Sequence, residues 1–375
     1  MILMKTGLIT FHYAHHYGAQ LQAYALHKTV ENLGYSCEII DYVRPDTIEG
    51  SSLFKKGASP GAILSNIHTL LHLPSFRRRH QRFSSFVKKH MKLGGKRYTS
   101  NEDLMADPPA YDCYLCGSDQ IWNPMIFRPE GFDPAFFMPF AGDKKRIAYA
   151  PSFGLSAIPK PYTEVLKEYL SGFYALSARE QSGSEIIRNL TGRDTEVVLD
   201  PTMLLEESDW LRVCSGERKG RPYILCYFIT DPAPFSDTIR SISENLKLPV
   251  IALCGSRKPI PGAIERIYDA GPKEFLGLIR DSAFVCTNSF HGTVFAILFK
   301  KEFFCFETGG TSRKSVGSRL TSLLERLELS DRLIHPARSR SIIELIGTGI
   351  DYGTVMEKLE KERQRSLGYL KNSLE

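Results

Sequence analysis

The 375-residue chain contains no apolar run that approaches the ~18 residues a helix needs to cross a bilayer. The apolar segment in its first eleven residues is too short for a secretory signal peptide, and it has no small-residue cleavage site. Cys113 and Cys116 form a CxxC inside an apolar segment, but no second CxxC or CxxH follows at zinc spacing. These absences predict a cytoplasmic protein with buried, free thiols.

The chain also lacks an extreme charge and any short internal repeat. Its 48 lysines and arginines against 42 acids give a net charge of +6, with a pI near 8.8. This excess is well short of the dense basic faces of nucleic-acid-binding proteins, so no nucleic-acid partner is predicted. It fits an anionic small substrate or an acidic membrane surface equally well. The length and the 42% hydrophobic content indicate two globular domains.

What the chain does have is a repeated alternation of apolar strands and amphipathic helices. A strand at 5–11, a helix at 19–33 and a strand at 37–43 form a βαβ unit, which requires a parallel sheet. A second alternation follows the charged, Gly- and Pro-containing linker at 215–222. We therefore predict an α/β protein with two Rossmann-like domains facing across a cleft. The predicted domains are 1–215, with a basic helical excursion at about 45–100, and 222–340, followed by a helix in 341–375 that packs back on the first domain.

The excursion includes a segment, 76–92, that combines aromatic and cationic residues. Phe76, Phe83, Phe86 and Val87 fall on one side of a predicted helix, and the remainder is densely cationic. Such a helix can lie on an anionic membrane surface. The alternative is a packed helix with a solvated charged face.

Polar turns follow the predicted strands in both halves of the chain. The apolar run before Asn288-Ser289-Phe290-His291-Gly292 ends abruptly in this turn, and the strand at 111–116 runs into Gly117-Ser118-Asp119-Gln120. Parallel strands all end at one edge of their sheet, so two facing domains would pool these turns in one cleft. The cleft would then contain His16, Asp119, Gln120, Arg179, His291, Arg313, Lys314 and Arg319. This set has several cations and few acids, so it suits a small, multiply charged anion and predicts neither a metal site nor a cofactor.

Each of these turns also has a plain structural interpretation. His291 can hold or release a proton near neutral pH, which makes it a candidate acid, base or anion ligand, but it can equally be a capping or core histidine. The set Ser118, Asp119 and Gln120 suits a polyhydroxylated ligand, but it is also typical of an ordinary turn with a solvent-facing aspartate.

Five stretches together resemble the polysaccharide pyruvyl transferase family. They are Tyr17-Gly18-Ala19-Gln20-Leu21-Gln22-Ala23-Tyr24-Ala25-Leu26, Gly117-Ser118-Asp119-Gln120-Ile121-Trp122, Ser177-Ala178-Arg179-Glu180, Leu199-Asp200-Pro201-Thr202 and Ser289-Phe290-His291-Gly292-Thr293-Val294-Phe295. They occur in family order over residues 7 to about 332. The resemblance implies a GT-B-like pair of Rossmann domains. It also implies transfer from phosphoenolpyruvate to sugar hydroxyls of a cell-surface polysaccharide precursor, giving a pyruvate ketal.

The resemblance implies roles for individual residues. Phosphoenolpyruvate carries a carboxylate and a phosphate, for which guanidinium groups are suitable receptors, so Arg179 and Arg319 are the expected donor ligands. Arg319 is favoured over Arg313 and Lys314, because the helix on which it lies resembles the stretch where relatives have a functional cation. His291 is the expected general acid.

On the acceptor side, Asp119 is a candidate base, and Ser118, Gln120 and His16 are candidate binding residues. The sequence departs from the family pattern in two places. Ser289, itself a candidate substrate-binding residue, stands where better-known members have arginine, and His16 stands where many relatives have asparagine.

Two other functions remain open from the sequence. One is a GT-B glycosyltransferase that uses a nucleotide sugar, and the other is a non-catalytic glycan-binding member of an assembly complex. An acceptor linked to a lipid diphosphate would fit the basic segment and a location at the inner face of the membrane.

Overall fold

The computed structural model of the protein describes residues 4–57, 59–216, 220–254, 260, 262–307, 314–335 and 342–375. The chain divides into two compact units. Unit 1 comprises Met1–Ser52, Ser84–Leu205 and Glu360–Glu375, and unit 2 comprises Leu53–Phe83 and Glu206–Leu359. Two units of this size each have room for a hydrophobic core of their own.

Unit 1 contains a seven-stranded sheet in which every described pair is parallel. Its strands are β1 (Lys5–Ile9), β2 (Ser36–Tyr42), β3 (Leu93–Tyr98), β4 (Cys113–Cys116), β5 (Lys145–Ala148), β6 (Ala175–Ala178) and β7 (Glu196–Val197). Their order is β3-β2-β1-β4-β5-β6-β7. Leu8 at the centre pairs with Ile39 on one side and Leu115 on the other, and all three are fully buried. Continuous apolar strands covered on both faces are typical of such a sheet.

The helices up to residue 205 are α1 (Tyr17–Asn32), α2 (Pro45–Gly50), α3 (Pro60–Leu71), α4 (Leu73–His90), α5 (Asn101–Ala106), α6 (Thr163–Ser171) and α7 (Gln181–Thr191). On one face of the unit 1 sheet, Trp122 is fully buried and stacks on Phe137 with ring centroids 5.3 Å apart. Aromatic burial of this kind contributes strongly to the core because each ring removes a large apolar area from water.

Helix α4 distinguishes between the two interpretations of the basic segment. Phe83, Phe86 and Val87 are buried, and Phe76 is half-buried, whereas Arg77 and Arg78 are exposed. The aromatic side of α4 therefore packs inside the protein, and its cations form a solvated face.

Unit 2 repeats the same architecture with six parallel strands. These are β8 (Ile224–Tyr227), β9 (Val250–Leu253), β10 (Ala263–Ile267), β11 (Phe284–Thr287), β12 (Glu302–Phe306) and β13 (Leu333–Ile334), in the order β10-β9-β8-β11-β12-β13. Its helices are α8 (Glu207–Val213), α9 (Ser236–Leu246), α10 (Pro272–Asp281), α11 (Phe290–Leu298), α12 (Lys314–Arg326), α13 (Ile342–Thr348) and α14 (Tyr352–Leu374). Numbered within each unit, the first six strands of both sheets follow the 3-2-1-4-5-6 order of a Rossmann fold. The predicted fold class, an α/β chain with two Rossmann-like domains, is confirmed.

The unit boundaries differ in detail from those expected from the sequence. The division falls at Leu205–Glu206, ahead of the linker at 215–222, and residues 53–83 of the basic excursion group with unit 2. The end of α14 belongs to unit 1, where Ser366 Oγ accepts a hydrogen bond from Leu199 N at 3.0 Å and Tyr369 donates one to Ala148 O at 3.0 Å. Both hydrogen bonds join α14 to residues of unit 1 that lie far away along the chain.

All eight cysteines are free, and six of them are buried. Cys113 and Cys116 lie in the central strand β4, where burial raises the pKa of both thiols. A thiol with a raised pKa is a poor nucleophile and a poor metal ligand. Among the described residues, no helix is both long enough and apolar enough to span a bilayer.

Candidate functional site

In each sheet, the order of the strands reverses at one point, between β1 and β4 in unit 1 and between β8 and β11 in unit 2. Ligands of open α/β sheets bind beyond the carboxyl ends of the strands at such switch points, because the two loops there diverge and leave a crevice. The turns at issue are therefore 10–16 and 117–120 in unit 1, and 228–230 and 288–291 in unit 2.

The two loops at the switch point of unit 2 are held together by side chains of the turn after β11. Thr287 Oγ1 donates to Tyr227 O at 2.6 Å, which links the ends of β11 and β8. Asn288 Oδ1 accepts from Ile229 N at 2.8 Å, and Asn288 Nδ2 donates to Thr230 Oγ1. All of these bonds are made at buried or half-buried atoms, so they fix the turn in one conformation.

Ser289 is the N-cap of α11. Its Oγ accepts a hydrogen bond from Gly292 N at 3.3 Å, and its own N–H donates to Thr287 Oγ1 at 3.1 Å. A β-carbon on Gly292 would lie 2.5 Å from Thr287 Oγ1, so this position requires glycine. The serine found in place of the family arginine thus starts the helix, which is a usual role for serine at this position.

His291 and Arg319 each lie beside the ring of Phe290. The imidazole lies edge-on to that ring at 5.3 Å and 88°, and the guanidinium carbon lies 6.0 Å from the ring centroid. His291 is 3% exposed and Arg319 is 7% exposed. A proton-transfer group and a permanent cation are therefore both enclosed beside the positive N-terminal end of α11.

Helix α12, which carries Arg319, starts at Lys314, so Arg319 lies in its second turn. Lys314 is the first residue of this helix, and Arg313 lies outside the described residues.

In unit 1, Arg179 lies just after β6 and is surrounded by carboxylates. Its Nη1 contacts Asp200 Oδ2 at 2.7 Å, its Nη2 contacts Asp119 Oδ1 at 3.3 Å, and its Nε lies 3.9 Å from Glu180 Oε2. The side chain of Arg179 is 2% exposed and that of Asp119, the most open of the three acids, is 12% exposed. One buried cation is therefore shared by three acids.

Burial alone would lower the pKa of Arg179, but the charges of Asp200, Asp119 and Glu180 outweigh this effect and raise it. The guanidinium is thus firmly charged and engaged by the protein's own acids. A phosphate or carboxylate placed beside it would be repelled by the three carboxylates nearby. This environment favours a role for Arg179 in holding the carboxylates in place, and it disfavours a role in binding an anion directly.

Gln22 joins the ends of β1 and β4 at the switch point of unit 1. Its Oε1 accepts from Ser118 N at 2.9 Å, and its Nε2 donates to Thr10 Oγ1 at 2.8 Å and to Ala19 O at 2.9 Å. Gln22 is completely buried in α1. It positions the turn that carries Asp119, although the sequence assigned it no role beyond the family motif.

Replacing Gln22 by leucine is expected to lower the free energy of unfolding by about 1–3 kcal/mol, because buried polar groups lose their partners. Urea unfolding monitored by circular dichroism measures this loss. Gln20 provides the matched control: it is equally buried, and its Oε1 has no hydrogen-bond partner within the described part of the chain. Gln20→Leu should cost much less; equal losses would contradict the role given to Gln22.

The remaining predicted residues of unit 1 have identifiable contacts. Ser118 Oγ donates to Ala150 O at 2.7 Å. Gln120 Oε1 accepts from Asn123 Nδ2 at 2.7 Å, and a β-carbon on Gly154 would lie 2.0 Å from this Oε1. His16 is the N-cap of α1 and accepts from Ala19 N through Nδ1 at 3.3 Å. Ser118, Asp119 and Arg179 are thus brought together, whereas His16 has a capping contact.

Within the described residues, no group of three or more His, Cys, Asp or Glu side chains is arranged to hold a metal ion. The acids around Arg179 are paired with that cation instead. The chemical groups of the two networks are therefore a histidine, two arginines and three carboxylates.

The sequence did not identify Asn288, Thr287, Gln22, Glu180 and Asp200 as parts of the two networks. Asp200 caps the following 3-10 turn by accepting from Thr202 N at 3.0 Å while it binds Arg179. Buried polar residues inside otherwise apolar segments were the available signal, since such groups need partners.

Comparison with known proteins reveals both the fold and a family. The chain is similar to a protein assigned as a UDP-N-acetylglucosamine 2-epimerase from Listeria monocytogenes, with a TM-score of 0.55 at 11% identity over 97% of this chain and 91% of that chain. It is also similar to S. aureus MnaA in its structure with UDP, with a TM-score of 0.51 at 12% identity over 96% and 91% of the two chains. At such identities the likeness concerns the fold alone. No individually curated protein matches the sequence significantly.

A family model, described as polysaccharide pyruvyl transferase, matches residues 16–310. This range includes the capped start of α1, the Asp119 and Arg179 network, and the turn that carries His291. With most of its length matched, the chain belongs to the polysaccharide pyruvyl transferase family.

Proposed function

We propose that this protein transfers the pyruvyl group of phosphoenolpyruvate to two hydroxyls of a sugar in a polysaccharide precursor and forms a cyclic ketal. The observation that carries the proposal is that His291 and Arg319 are both enclosed and both lie beside the ring of Phe290, in the first turn of α11. An enol phosphate requires a proton donor and a cation that binds its anionic groups.

The donor is proposed to bind at the switch point of unit 2. Arg319 offers a planar guanidinium for the carboxylate or phosphate of phosphoenolpyruvate. The N-terminal end of α11 adds a partial positive charge, and because the helix is buried along its whole length this charge is weakly screened by solvent. Ser289 caps the helix here, so Arg319 is the described cation that takes over the charge of the missing family arginine. Arg313 and Lys314 remain predicted contributors.

His291 is proposed to be the general acid. Protonation of the methylene carbon of phosphoenolpyruvate converts it to a methyl group and leaves a cation at the neighbouring carbon. A sugar hydroxyl adds to that carbon and loses its proton, the bond to the phosphate oxygen breaks, and inorganic phosphate leaves. A second hydroxyl of the same sugar then closes the ketal and releases the second proton. General acid catalysis of this kind typically contributes about 10²–10⁴-fold in rate.

Asp119 is proposed to accept the hydroxyl proton or to orient the hydroxyl. Among the acids around Arg179 it has the most exposed side chain, and its Oδ1 lies 3.3 Å from Arg179 Nη2. We propose that Arg179 acts through Asp119 as a positioning residue, in place of the donor-binding role expected from the sequence. Ser118 and Gln120 are proposed to line the acceptor side.

The direct test is incubation of the purified protein with phosphoenolpyruvate and a panel of glycan intermediates. The expected result is release of inorganic phosphate together with a mass increase of one acceptor by a single pyruvyl ketal. Binding of phosphoenolpyruvate without turnover on any glycan that binds would instead favour the non-catalytic alternative.

A glycosyltransferase reaction is the second candidate, because a structurally similar protein is known in complex with UDP. Thermal-shift measurements separate the two, since a ligand that binds the native state raises the melting temperature. Stabilisation by phosphoenolpyruvate and not by nucleoside diphosphates is expected. Stabilisation by UDP alone would favour the glycosyltransferase. The cytoplasmic location and the lipid-linked acceptor stay predictions.

Replacing Arg319 by glutamine is expected to weaken phosphoenolpyruvate binding by about 10–100-fold, since a hydrogen bond to a charged group contributes about 1.5–3 kcal/mol. Lysine should restore only part of the affinity because it cannot bind in a bidentate manner. Calorimetric titration measures the affinity of both variants for phosphoenolpyruvate. Arg326→Gln, in the last turn of the same helix, makes the same charge change and should leave the affinity unchanged. An unchanged affinity in Arg319→Gln would overturn the assignment.

A further inference from the structure

Helix α3 (Pro60–Leu71) has its apolar side in solvent. Its buried residues are the small or polar Ala62, Ser65 and Thr69. The opposite side carries five large aliphatic residues that are 48–74% exposed, namely Ile63, Leu64, Ile67, Leu70 and Leu71. Their spacing places all five on one face of the helix. Single exposed aliphatic residues are ordinary, but a continuous row of five marks an interaction surface.

The helix is firmly built, so the exposure is a property of the fold. Ser59 caps α3 by accepting from Ala62 N at 3.2 Å, and Pro60 occupies the first turn, where proline is favoured. At its other end the ring of His72 stacks on Tyr268 at 4.5 Å and 22°, and Phe76 lies edge-on to the same tyrosine at 5.9 Å. These contacts, all within unit 2, fix which side of α3 faces outward.

The surroundings of the apolar row are cationic. Residues 50–101 contain eleven lysines and arginines and no acid, so the rest of the chain carries a net negative charge. Before α3, the exposed Lys55 is held alongside the helix by two hydrogen bonds with Asn66, at 2.9 and 3.0 Å. After it, Pro74 and Arg77 at the start of α4 are also exposed, and the exposed Arg78 pairs with Asp269 at 3.1 Å.

We propose that the exposed face of α3, with its cationic flanks, docks the protein on an anionic lipid surface. The five aliphatic side chains would enter the boundary between headgroups and acyl chains, and Lys55, Lys56 and Arg77 would contact the headgroups. A second copy of the chain is a poor occupant, because pairing this face with itself would bring the two cationic flanks together. Contact surfaces between proteins are also enriched in aromatic residues, which this row lacks.

This docking surface is distinct from the aromatic side of α4, which packs inside the protein. It is independent of the proposed chemistry, although it would bring the protein to a lipid-linked acceptor. Helix α3 has 12 residues, so it would lie in the plane of the surface and not cross it.

The test is co-sedimentation of the full chain with vesicles of phosphatidylglycerol and phosphatidylcholine in equal parts, against vesicles of phosphatidylcholine alone. The partition coefficient should be at least tenfold higher for the anionic vesicles, with strong dependence on salt. The double variant Leu64→Asp, Leu71→Asp should lose at least tenfold, and the triple variant Lys55→Gln, Lys56→Gln, Arg77→Gln should do the same. Ile264→Asp is the matched control, since Ile264 in β10 is as exposed as Leu71 and should leave binding unchanged.

An Ile67→Trp variant reports the depth of insertion. Trp122 and Trp210 are fully buried, so a vesicle-induced blue shift of the emission would come from the added indole and would support docking through α3. Vesicle binding that survives Leu64→Asp, Leu71→Asp would overturn the proposal. A dimer in ultracentrifugation that dissociates in this variant, without vesicle binding by the wild type, would also overturn it and would assign the face to a second copy.

Discussion

Replacing His291 by alanine is expected to lower kcat for pyruvyl transfer by about 10³-fold, because the enol phosphate loses its proton donor. Phosphoenolpyruvate binding should change little, since Arg319 and the N-terminal end of α11 remain. Phosphate release measured against acceptor concentration gives kcat, and calorimetric titration gives the affinity. His291→Gln should be equally inactive, because glutamine fills the space and forms hydrogen bonds but cannot transfer the proton.

The proton itself provides a second readout. In deuterium oxide the wild type should introduce deuterium into the methyl group of the ketal. Any residual product of His291→Ala should also carry deuterium and should form more slowly, because solvent must then supply the same proton. The control is His27→Ala, since His27 in α1 is about as buried as His291 and has no proposed contact with substrate. Near-normal turnover by His291→Ala would exclude His291 as the acid.

Replacing Arg179 by methionine is expected to lower the free energy of unfolding by about 3–5 kcal/mol near pH 8, because three buried carboxylates lose their shared cation. In the variant, the buried carboxylates lack a counter-charge, and burial disfavours the ionised form of a carboxylic acid relative to the unfolded chain. A raised folded-state pKa contributes stability below the unfolded pKa that is lost as pH increases. The variant should therefore recover part of its stability on lowering the pH to about 5. Urea unfolding at both pH values measures the effect.

The matched control is Arg193→Met. Arg193 donates to two backbone carbonyls, Phe173 O at 2.8 Å and Tyr174 O at 2.9 Å. The loss of unfolding free energy in this control should therefore be smaller and should not depend on pH in this range.

Arg179→Lys keeps the charge and distinguishes between the two roles considered for Arg179, positioning Asp119 and binding the donor. If Arg179 positions Asp119, this variant should bind phosphoenolpyruvate normally and show a lower kcat. A large loss of phosphoenolpyruvate affinity would restore the donor-binding role.

Much of the fold could be predicted because its signals are local. The apolar strand, polar turn and amphipathic helix recur along the chain, and this pattern requires parallel sheets whose carboxyl edges carry the functional turns. The strands that the sequence did not reveal lie at or near sheet edges. In β3, for example, Gly95, Lys96 and Arg97 are exposed. A strand that is poorly buried needs no apolar alternation, so its sequence carries little signal.

The sequence predicted which residues belong to the candidate site, but it did not predict which of them pair with one another. Asp119, Arg179 and Ser118 were identified one by one as polar residues after strands. Their partners lie far away along the chain: Gln22 is 96 residues from Ser118, and Asp200 is 21 residues from Arg179. No spacing rule connects such residues, so the sequence could not indicate that Arg179 is enclosed by acids.

The turn at 288–291 shows the same difference between what the sequence predicts and what the tertiary structure decides. The abrupt change from an apolar run to Asn, Ser, Phe, His and Gly determined that a strand feeds a helix here and that His291 lies in its first turn. Only the tertiary structure decided that Ser289 caps this helix and that Arg319, from α12, lies beside the same Phe290 ring as His291.

By itself, the sequence of this protein determined the order of its elements and the identity of the groups at the strand ends, because backbone propensity and hydrophobic periodicity act over a few residues. The tertiary structure decided which side of α3 faces outward and which acids surround Arg179. Both depend on long-range packing, such as that of His72 on Tyr268, in which burial and charge balance are set by residues from distant parts of the chain.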